Sequence, residues 1–220
     1  MPQCVIFDMD GVIVDSEPLH MEAERNVFHS LGISVSPEMH STFVGISSHL
    51  MWRKVIAHFK LAADENDLVE LQRSNYNQIL KCSENIVPTP GITETMNALK
   101  QDGFRLALAS SSAHNQISFF LNRFGIVNLF DAIVSGDDVE NGKPHPDIFL
   151  KAAGNAGSDP DECIVIEDSE NGVKAALEAN MKCMGFRNEN SGNQDLSEAD
   201  AIISKFDNDT IQLIKSMLKK

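Results

Sequence analysis

Six short apolar runs recur along the chain, and each is too short to form a helix. They span residues 4–7, 106–109, 132–134, 163–166, 183–186 and 201–203. Segments in which apolar residues have a helical spacing lie between the later runs, as in Ile117, Phe120, Leu121 and Phe124. This alternation predicts an α/β fold with a doubly wound, Rossmann-like parallel sheet and helices on both faces. Such sheets bind ligands at the carboxyl ends of their strands.

The stretch between the first two runs breaks the alternation, because it contains several helical patterns and no predicted strand. A crossover helix with its loops needs only about a dozen or more residues. We therefore predict two domains: an α/β core formed by residues 1–15 and 88–220, and an inserted α-helical cap domain over residues 16–87. Since the insertion leaves the sheet just after the first strand, at the edge where a ligand should bind, we expect it to act as a lid.

The charge of the chain limits its partners. With 32 acidic and 18 basic residues the formal net charge is -14, which repels nucleic acid and anionic membrane surfaces. No secretory signal precedes the first run, and no apolar run approaches the roughly 20 residues that span a bilayer. We expect a monomeric cytoplasmic protein that binds neither nucleic acid nor membranes, and an anionic substrate would require local positive charge.

Two carboxylates follow the first run. At the two-residue period of a strand, Asp8 and Asp10 can project to the same side. One carboxylate can attack a phosphorus atom while the other exchanges a proton with the leaving or entering oxygen. An isolated Asp-x-Asp is more often a solvated pair, because Asp favours turns. Its position at a predicted strand end weakens that alternative.

Hydroxyls and a lysine follow the second and third runs. Three serines begin at Ser110, and the hydroxyl and amide groups of Ser110 and Ser111 at a helix start suit phosphate oxygens, although a helix N-cap is the simpler interpretation. Two prolines stiffen residues 142–146, which carry Lys143. Because we find no other cation placed at these strand ends, Lys143 is the best candidate to balance a phosphoryl dianion.

Glu167 and Asp168 follow the fourth run, directly before a predicted helix. Such oxygen ligands suit Mg²⁺, which usually takes one or two protein carboxylates together with waters and substrate phosphate. The alternative is an acidic first helical turn favoured by the helix dipole, with Ser169 as the N-cap. Each pattern is weak alone, but four ends of one predicted sheet bring all these groups to one edge.

Residues 7–17, 109–112, 142–147 and 166–169 resemble the four ordered motifs of the haloacid dehalogenase superfamily. The resemblance covers nearly the whole chain, including a helical cap inserted after the first motif. It is strongest to the branch that holds beta-phosphoglucomutase and small sugar-phosphate phosphatases. It implies a Mg²⁺-dependent enzyme that acts on a small phosphorylated metabolite through an aspartyl-phosphate intermediate.

The resemblance also implies roles for individual residues. Asp8 is phosphorylated and Asp10 is the general acid and base. Mg²⁺ sits on the Asp8 carboxylate, the Asp10 backbone carbonyl and Asp168, with Glu167 close by. The residues expected to hold phosphate or substrate are Ser110, Lys143 and Asn115 in the core and His20 and Gly45 in the cap.

The cap separates two related reactions, in which water or a sugar hydroxyl receives the phosphoryl group. Three residues after Gly45, where the mutase carries an arginine for the distal phosphate, this chain has Ser48. A mutase must hold a bisphosphate at both ends, and arginine is the natural fork for that task. The sequence therefore favours a phosphatase over a phosphomutase, although Arg53 or Arg73 could replace the missing arginine.

A more distant alternative is a non-catalytic phospho-receiver or binding domain. A phospho-receiver domain also gathers carboxylates, a hydroxyl and a lysine on a doubly wound sheet. It has no large lid, however, and its acceptor aspartate is not on the first strand. None of the expected catalytic positions is substituted in this chain, which argues against a catalytically inactive module.

Overall fold

The computed structural model describes residues 2–44, 46–83 and 85–218. The chain divides into two compact units, one formed by Met1–Asp15 with Val87–Lys220 and the other by Ser16–Ile86. We call the first the α/β unit and the second the helical unit. Within the described residues, no helix combines the length and apolar character needed to cross a bilayer.

A six-stranded parallel sheet forms the centre of the α/β unit. Its strands are β1 (Cys4–Phe7), β2 (Arg105–Ser110), β3 (Ala132–Ser135), β4 (Cys163–Glu167), β5 (Lys182–Phe186) and β6 (Ala201–Ile203). Their order is β3-β2-β1-β4-β5-β6, so β1 lies between β2 and β4, with Phe7 paired to Leu108 and Ile166. All six predicted runs are strands, and the predicted fold class is confirmed. The carboxyl ends of β1, β2 and β4 consequently meet at one edge.

The helical unit contains α1 (Glu17–Ser30), α2 (Pro37–Ser41), α3 (Ser48–Phe59) and α4 (Glu65–Cys82). Side-chain oxygens of Ser36, Ser47 and Asp64 cap the last three helices by accepting hydrogen bonds from backbone N–H groups in the first turns. Val27, Trp52 and other buried apolar side chains form its core. The predicted helical spacing in this segment therefore corresponds to the packed faces of real helices.

In its described residues the α/β unit also contains the α-helices α5 (Ile92–Gln101), α6 (His114–Phe124), α7 (Asp147–Ala156), α8 (Glu170–Glu178) and α9 (Asn208–Leu218). Apolar residues of α7 and α8, such as Phe149 and Val173, share a buried cluster with Ile6 and Val165 of the central strands. Helix α5 packs against β2, and α9 packs against β4. Burying the strands in this way is what permits their continuous apolar sequences.

Candidate active site

A tight turn after β1 presents the first two carboxylates. The Asp8 backbone N–H continues the ladder to β4 by donating to Ile166 O at 3.0 Å, and the Gly11 N–H then donates to Val14 O at 2.7 Å. Gly11 has φ +82°, and a Cβ there would lie 1.9 Å from Oδ2 of Asp168. Only glycine therefore suits both the backbone conformation and the close approach of this carboxylate.

Lys143 reaches into the site as a buried cation. Its Nζ donates hydrogen bonds to Oδ1 of Asp8, to Oε1 of Glu167 at 2.6 Å and to Ala109 O at 3.3 Å. Burial by itself lowers the pKa of Lys143, but the charges of Asp8 and Glu167 outweigh it and raise the pKa above its usual value. Lys143 consequently stays charged beside the Asp8 carboxylate.

Glu167 is held by groups on both of its carboxylate oxygens. Oε1 accepts from Lys143, while Oε2 accepts the Ser169 backbone N–H at 2.8 Å and the Ser169 hydroxyl at 2.9 Å. A Cβ at Gly172 would lie 1.9 Å from the Glu167 carboxyl group. Glu167 thus contacts Lys143 and Ser169, and the metal contact expected for it from the sequence stays a prediction.

Asp168 accepts a hydrogen bond at Oδ2 from the hydroxyl of Ser191. Burial, followed by repulsion from Glu167, raises the pKa of Asp168 to about 8. Burial also raises the pKa of Asp8 well above its ordinary value, and Glu167, Asp168 and Asp10 add to this, while Lys143 opposes it. Asp8, Glu167 and Asp168 therefore carry more buried acid than Lys143 alone can balance.

Two serines at the end of β2 lie against Asp10. The Ser112 hydroxyl donates to Oδ2 of Asp10 at 2.6 Å, and the Ser110 hydroxyl lies 3.2 Å from the same oxygen. Ser110 Oγ also accepts the Ser112 backbone N–H at 3.0 Å. Ser111 is exposed. Its backbone carbonyl oxygen lies close to Gly136, and a Cβ added to Gly136 would be only 2.5 Å from that oxygen. Ser110 thus lies beside Asp10, and its role in holding phosphate stays a prediction. The contact of Ser112 with Asp10 was not predicted from the sequence.

The remaining predicted positions are Asn115 in the α/β unit and three residues of the inserted segment. Asn115 is exposed in the first turn of α6. In the helical unit, the His20 ring stacks on Tyr76 with 4.1 Å between ring centroids and 9° between planes, and Ser48 is the first residue of α3. Gly45 lies outside the described residues. The structure thus brings together Asp8, Asp10, Ser110, Lys143, Glu167 and Asp168 within the α/β unit.

A fifth strand end adds contacts that the sequence analysis missed. Asn188, Asn190 and Ser191 follow β5 and donate side-chain hydrogen bonds to Gly11 O, to Asp15 and to Asp168, respectively. They are uncharged residues in a loop, and only their position after a predicted strand could have indicated them.

The carboxylate and hydroxyl groups, the buried lysine and the sheet define an α/β enzyme with its polar site at the carboxyl ends of the strands. Residues 5–186 match the haloacid dehalogenase-like hydrolase family, and the chain belongs to this family. The predicted family is therefore confirmed, and the alternative of a non-catalytic receiver domain is set aside.

Similar proteins of known name cover almost the full chain. This chain is 31% identical over 219 residues to a phosphorylated carbohydrates phosphatase of Thermotoga maritima, and the match covers 98% of this chain and 100% of that protein. It is 30% identical over 217 residues to a beta-phosphoglucomutase of Bacillus subtilis, covering 96% and 93%. A crystal structure of beta-phosphoglucomutase from Clostridium difficile matches with a TM-score of 0.80 at 28% identity, covering 99% of this chain and 97% of that one.

Proposed function

We propose that the protein is a Mg²⁺-dependent phosphatase that hydrolyses a small phosphorylated metabolite, in particular a sugar phosphate, through an aspartyl-phosphate on Asp8. The observation that carries this proposal is the hydrogen bond from buried Lys143 to Asp8. A fixed cation beside the attacking carboxylate can also stabilise the charge of the phosphoryl group in the transition state. The similarity to a phosphorylated carbohydrates phosphatase supports the class of substrate.

In the first half-reaction, the Asp8 carboxylate attacks phosphorus and the bond from phosphorus to the ester oxygen breaks. Asp10 in its protonated form donates its proton to the departing alkoxide, which leaves as the alcohol. The hydroxyls of Ser110 and Ser112 hold the Asp10 carboxyl group at the same sheet edge, at 3.2 Å and 2.6 Å from Oδ2.

In the second half-reaction, water attacks phosphorus and the bond from phosphorus to Asp8 breaks. Asp10, now a carboxylate, accepts the proton that this water loses, and inorganic phosphate and free Asp8 result. Lys143 again stabilises the negative charge that develops on the phosphoryl group. Its Nζ is kept in place by the hydrogen bond to Glu167 at 2.6 Å. The same two carboxylates therefore serve both steps, and the enzyme returns to its starting state.

The residues at this edge fit Mg²⁺. The pKa values of Asp8 and Asp168 are raised by burial and by repulsion from neighbouring carboxylates, which indicates acidic charge that a divalent cation would relieve. Among the described residues no three His, Cys, Asp or Glu side chains form a metal-binding group, and Mg²⁺ usually needs only one or two protein carboxylates. Asp8, Asp168 and the Asp10 carbonyl would hold the ion, which polarises phosphoryl oxygens when bound.

We further propose that the helical unit acts as a cap domain that selects the substrate, with His20 and Ser48 among its contributing residues. The two arginines that could serve a distal phosphate already have partners inside this unit. Arg53 donates to Glu65 at 2.5 Å, and Arg73 lies 3.2 Å from Glu70. Both arginine side chains are largely exposed, so these pairs are weak and do not decide between the two reactions. The support for a phosphatase over a phosphomutase is therefore the serine at position 48.

A phosphomutase is the second candidate, and the similarity to beta-phosphoglucomutase favours it. The two activities share the transfer to Asp8 and differ in the acceptor. In a mutase the sugar hydroxyl, rather than water, would attack the phosphoryl group on Asp8.

The deciding experiment measures phosphate release from a panel of phosphorylated sugars and small acids, with and without Mg²⁺, using Asp8→Asn as the inactive variant. Turnover without Mg²⁺, or full activity in Asp8→Asn, contradicts the mechanism. A coupled assay with beta-glucose 1-phosphate and a bisphosphate primer tests the second candidate. Rapid formation of glucose 6-phosphate would favour the mutase, and its absence alongside phosphate release would favour the phosphatase.

A further inference from the structure

The loop that follows β5 sends three neighbouring side chains to three different parts of the active-site edge. We call residues 187–194 the β5 loop. Asn188 Nδ2 donates to Gly11 O at 3.0 Å, and Asn190 Nδ2 donates to Oδ2 of Asp15 at 2.5 Å. Ser191 Oγ donates to Oδ2 of Asp168.

The β5 loop is itself ordered by local hydrogen bonds. Asn188 Oδ1 accepts the Asn190 backbone N–H at 2.9 Å, and Asn188 O accepts the Ser191 backbone N–H at 3.3 Å. The loop begins where the Arg187 N–H donates to β6, and near its end Gln194 Oε1 accepts the Glu170 N–H at 3.1 Å. Ser191 is therefore presented from a braced turn whose two ends are fixed to β6 and to α8.

The β5 loop donates hydrogen bonds to two acidic side chains, those of Asp15 and Asp168. Asp15 Oδ1 is buried and finds no hydrogen-bond partner among the residues that the structure describes, so the Asn190 contact to Oδ2 is important for this carboxylate. Asp168 lies so close to Gly11 that no Cβ would fit between them. Ser191 reaches Asp168 on the carboxylate oxygen nearer to that glycine, and this leaves the carboxylate with a defined orientation.

We propose that Ser191 is a positioning residue that orients the Asp168 carboxylate for a divalent cation, and that Asn190 supports it by tying the β5 loop to Asp15. The proposal rests on the proposed function, because it requires the ion to bind at Asp168. Hydrogen-bonded partners of metal ligands fix the ligand before the ion arrives, and their loss typically weakens metal binding by about 10- to 100-fold. The hydroxyl of Ser191 has this relation to Asp168.

The test measures metal affinity directly, on the full chain, with Mn²⁺ as a spectroscopic probe that binds oxygen ligands like those of Mg²⁺. Electron paramagnetic resonance measures the concentration of free Mn²⁺ while the ion is titrated into each protein. The proteins are the wild type, Ser191→Ala, Ser191→Thr and Asn190→Ala. Ser197→Ala is the matched control, because Ser197 is an exposed serine a few residues beyond the loop. Thermal melts of all variants confirm that each is folded at the assay temperature.

We expect Ser191→Ala to raise the Kd for Mn²⁺ by about tenfold or more, and Asn190→Ala to raise it less. Ser191→Thr, which keeps the hydroxyl, should restore most of the affinity, and Ser197→Ala should match the wild type. The Mg²⁺ concentration for half-maximal turnover should move with the Kd, whereas kcat at saturating Mg²⁺ should change little. A residue that serves only the stability of the loop would shift the melting temperature without this pattern.

Three results would overturn the inference. A folded Ser191→Ala with wild-type affinity means that Asp168 needs no positioning, and tighter binding means that Ser191 competes with the ion. In both cases, Mn²⁺ binding and Mg²⁺-dependent turnover by the wild-type protein would still support the proposed function. A wild-type protein that binds no Mn²⁺ and turns over without Mg²⁺ contradicts the proposed function first, and the inference fails with it.

Discussion

Lys143 and Glu167 form a buried ion pair, with 2.6 Å between Nζ and Oε1, and the side chains of both residues are almost fully shielded from solvent. Because the same ammonium group also contacts Asp8, Glu167 fixes the direction from which positive charge reaches the proposed nucleophile. The two adjacent carboxylates at the end of β4 therefore differ in their contacts. Glu167 contacts the lysine, whereas in the proposed function Asp168 binds the cation.

Glu167→Gln should therefore lower kcat while leaving the Mg²⁺ concentration for half-maximal turnover close to that of the wild type. The amide keeps the shape of the side chain but removes the charge that holds Lys143. We expect a fall in kcat of about 10-fold, and about 100- to 1000-fold for Lys143→Met, which removes the charge facing the phosphoryl group. Steady-state kinetics over a range of Mg²⁺ concentrations make the measurement. A large rise in the Mg²⁺ requirement of Glu167→Gln would instead make Glu167 a metal ligand.

Ser112→Ala should lower kcat about 10-fold with little change in KM. Its hydroxyl donates to Asp10 at 2.6 Å, and in the proposed mechanism Asp10 exchanges the proton in both steps. Ser111→Ala provides the comparison between the sequence prediction and the structure. If Ser111 rather than Ser112 controls turnover, the assignment from the structure is wrong. Ser118→Ala, at an exposed site in α6, is the control for the substitution itself.

These two cases show which parts of the site the sequence could predict. The placement of Asp8, Lys143 and Asp168 at one edge could be predicted from the sequence. Asp8 and Asp168 directly follow buried strands, Lys143 lies in a segment that follows another strand, and parallel strands carry their following residues to one edge. The strands themselves were predictable because a buried parallel strand is a short continuous apolar run.

Hydrogen-bond direction was not predictable in the same way. Whether Ser111 or Ser112 faces Asp10 depends on a turn in which the Ser112 backbone N–H donates a hydrogen bond to Ser110 Oγ. The partner of Glu167 depends on how far Lys143 extends from a distant loop. The β5 loop was missed because its asparagines and serine carry no charge, and composition alone does not separate them from an ordinary surface turn.

Asp131 should make the free energy of unfolding depend on pH in the acidic range. Burial alone raises its pKa, but hydrogen bonds from Lys100, the Leu106 N–H and Arg105 outweigh burial and hold the pKa of Asp131 below its usual value. A carboxylate with a depressed pKa stabilises the folded state above its unfolded pKa of about 3.9, and this stabilisation is lost as pH falls through the folded-state pKa.

We therefore expect Asp131→Asn to lower the free energy of unfolding by about 1 kcal/mol at pH 7. The difference from the wild type should disappear at pH values below the folded-state pKa of Asp131, where the wild-type group is also neutral. Urea denaturation at pH 7 and at a pH below the folded-state pKa of Asp131 measures this difference. Glu140→Gln, at an exposed site, is the control. A difference that persists undiminished in acid would mean that packing, not charge, is responsible.

The helical unit contains a buried chain of polar contacts whose loss can be observed separately from the sheet. Trp52 Nε1 donates to Gln72 Oε1 at 2.8 Å, and Gln72 Nε2 donates to Glu24 at 3.1 Å. Glu24 in turn lies 2.6 Å from Nε2 of His40. Trp52 is the only tryptophan of the chain and is fully buried, so its fluorescence reports on the unfolding of this unit.

Gln72→Ala should destabilise the helical unit by about 1–3 kcal/mol, because it leaves the buried indole N–H of Trp52 without its acceptor and removes one of the two partners of the Glu24 carboxylate. The urea midpoint measured by Trp52 fluorescence should fall, and it should fall more than the midpoint measured by far-ultraviolet circular dichroism, to which the sheet and its helices also contribute. Gln78→Ala changes the same residue type at an exposed site in α4 and should move neither midpoint by much. Equal effects of the two substitutions would mean that the contacts of Gln72 add nothing beyond its helix propensity.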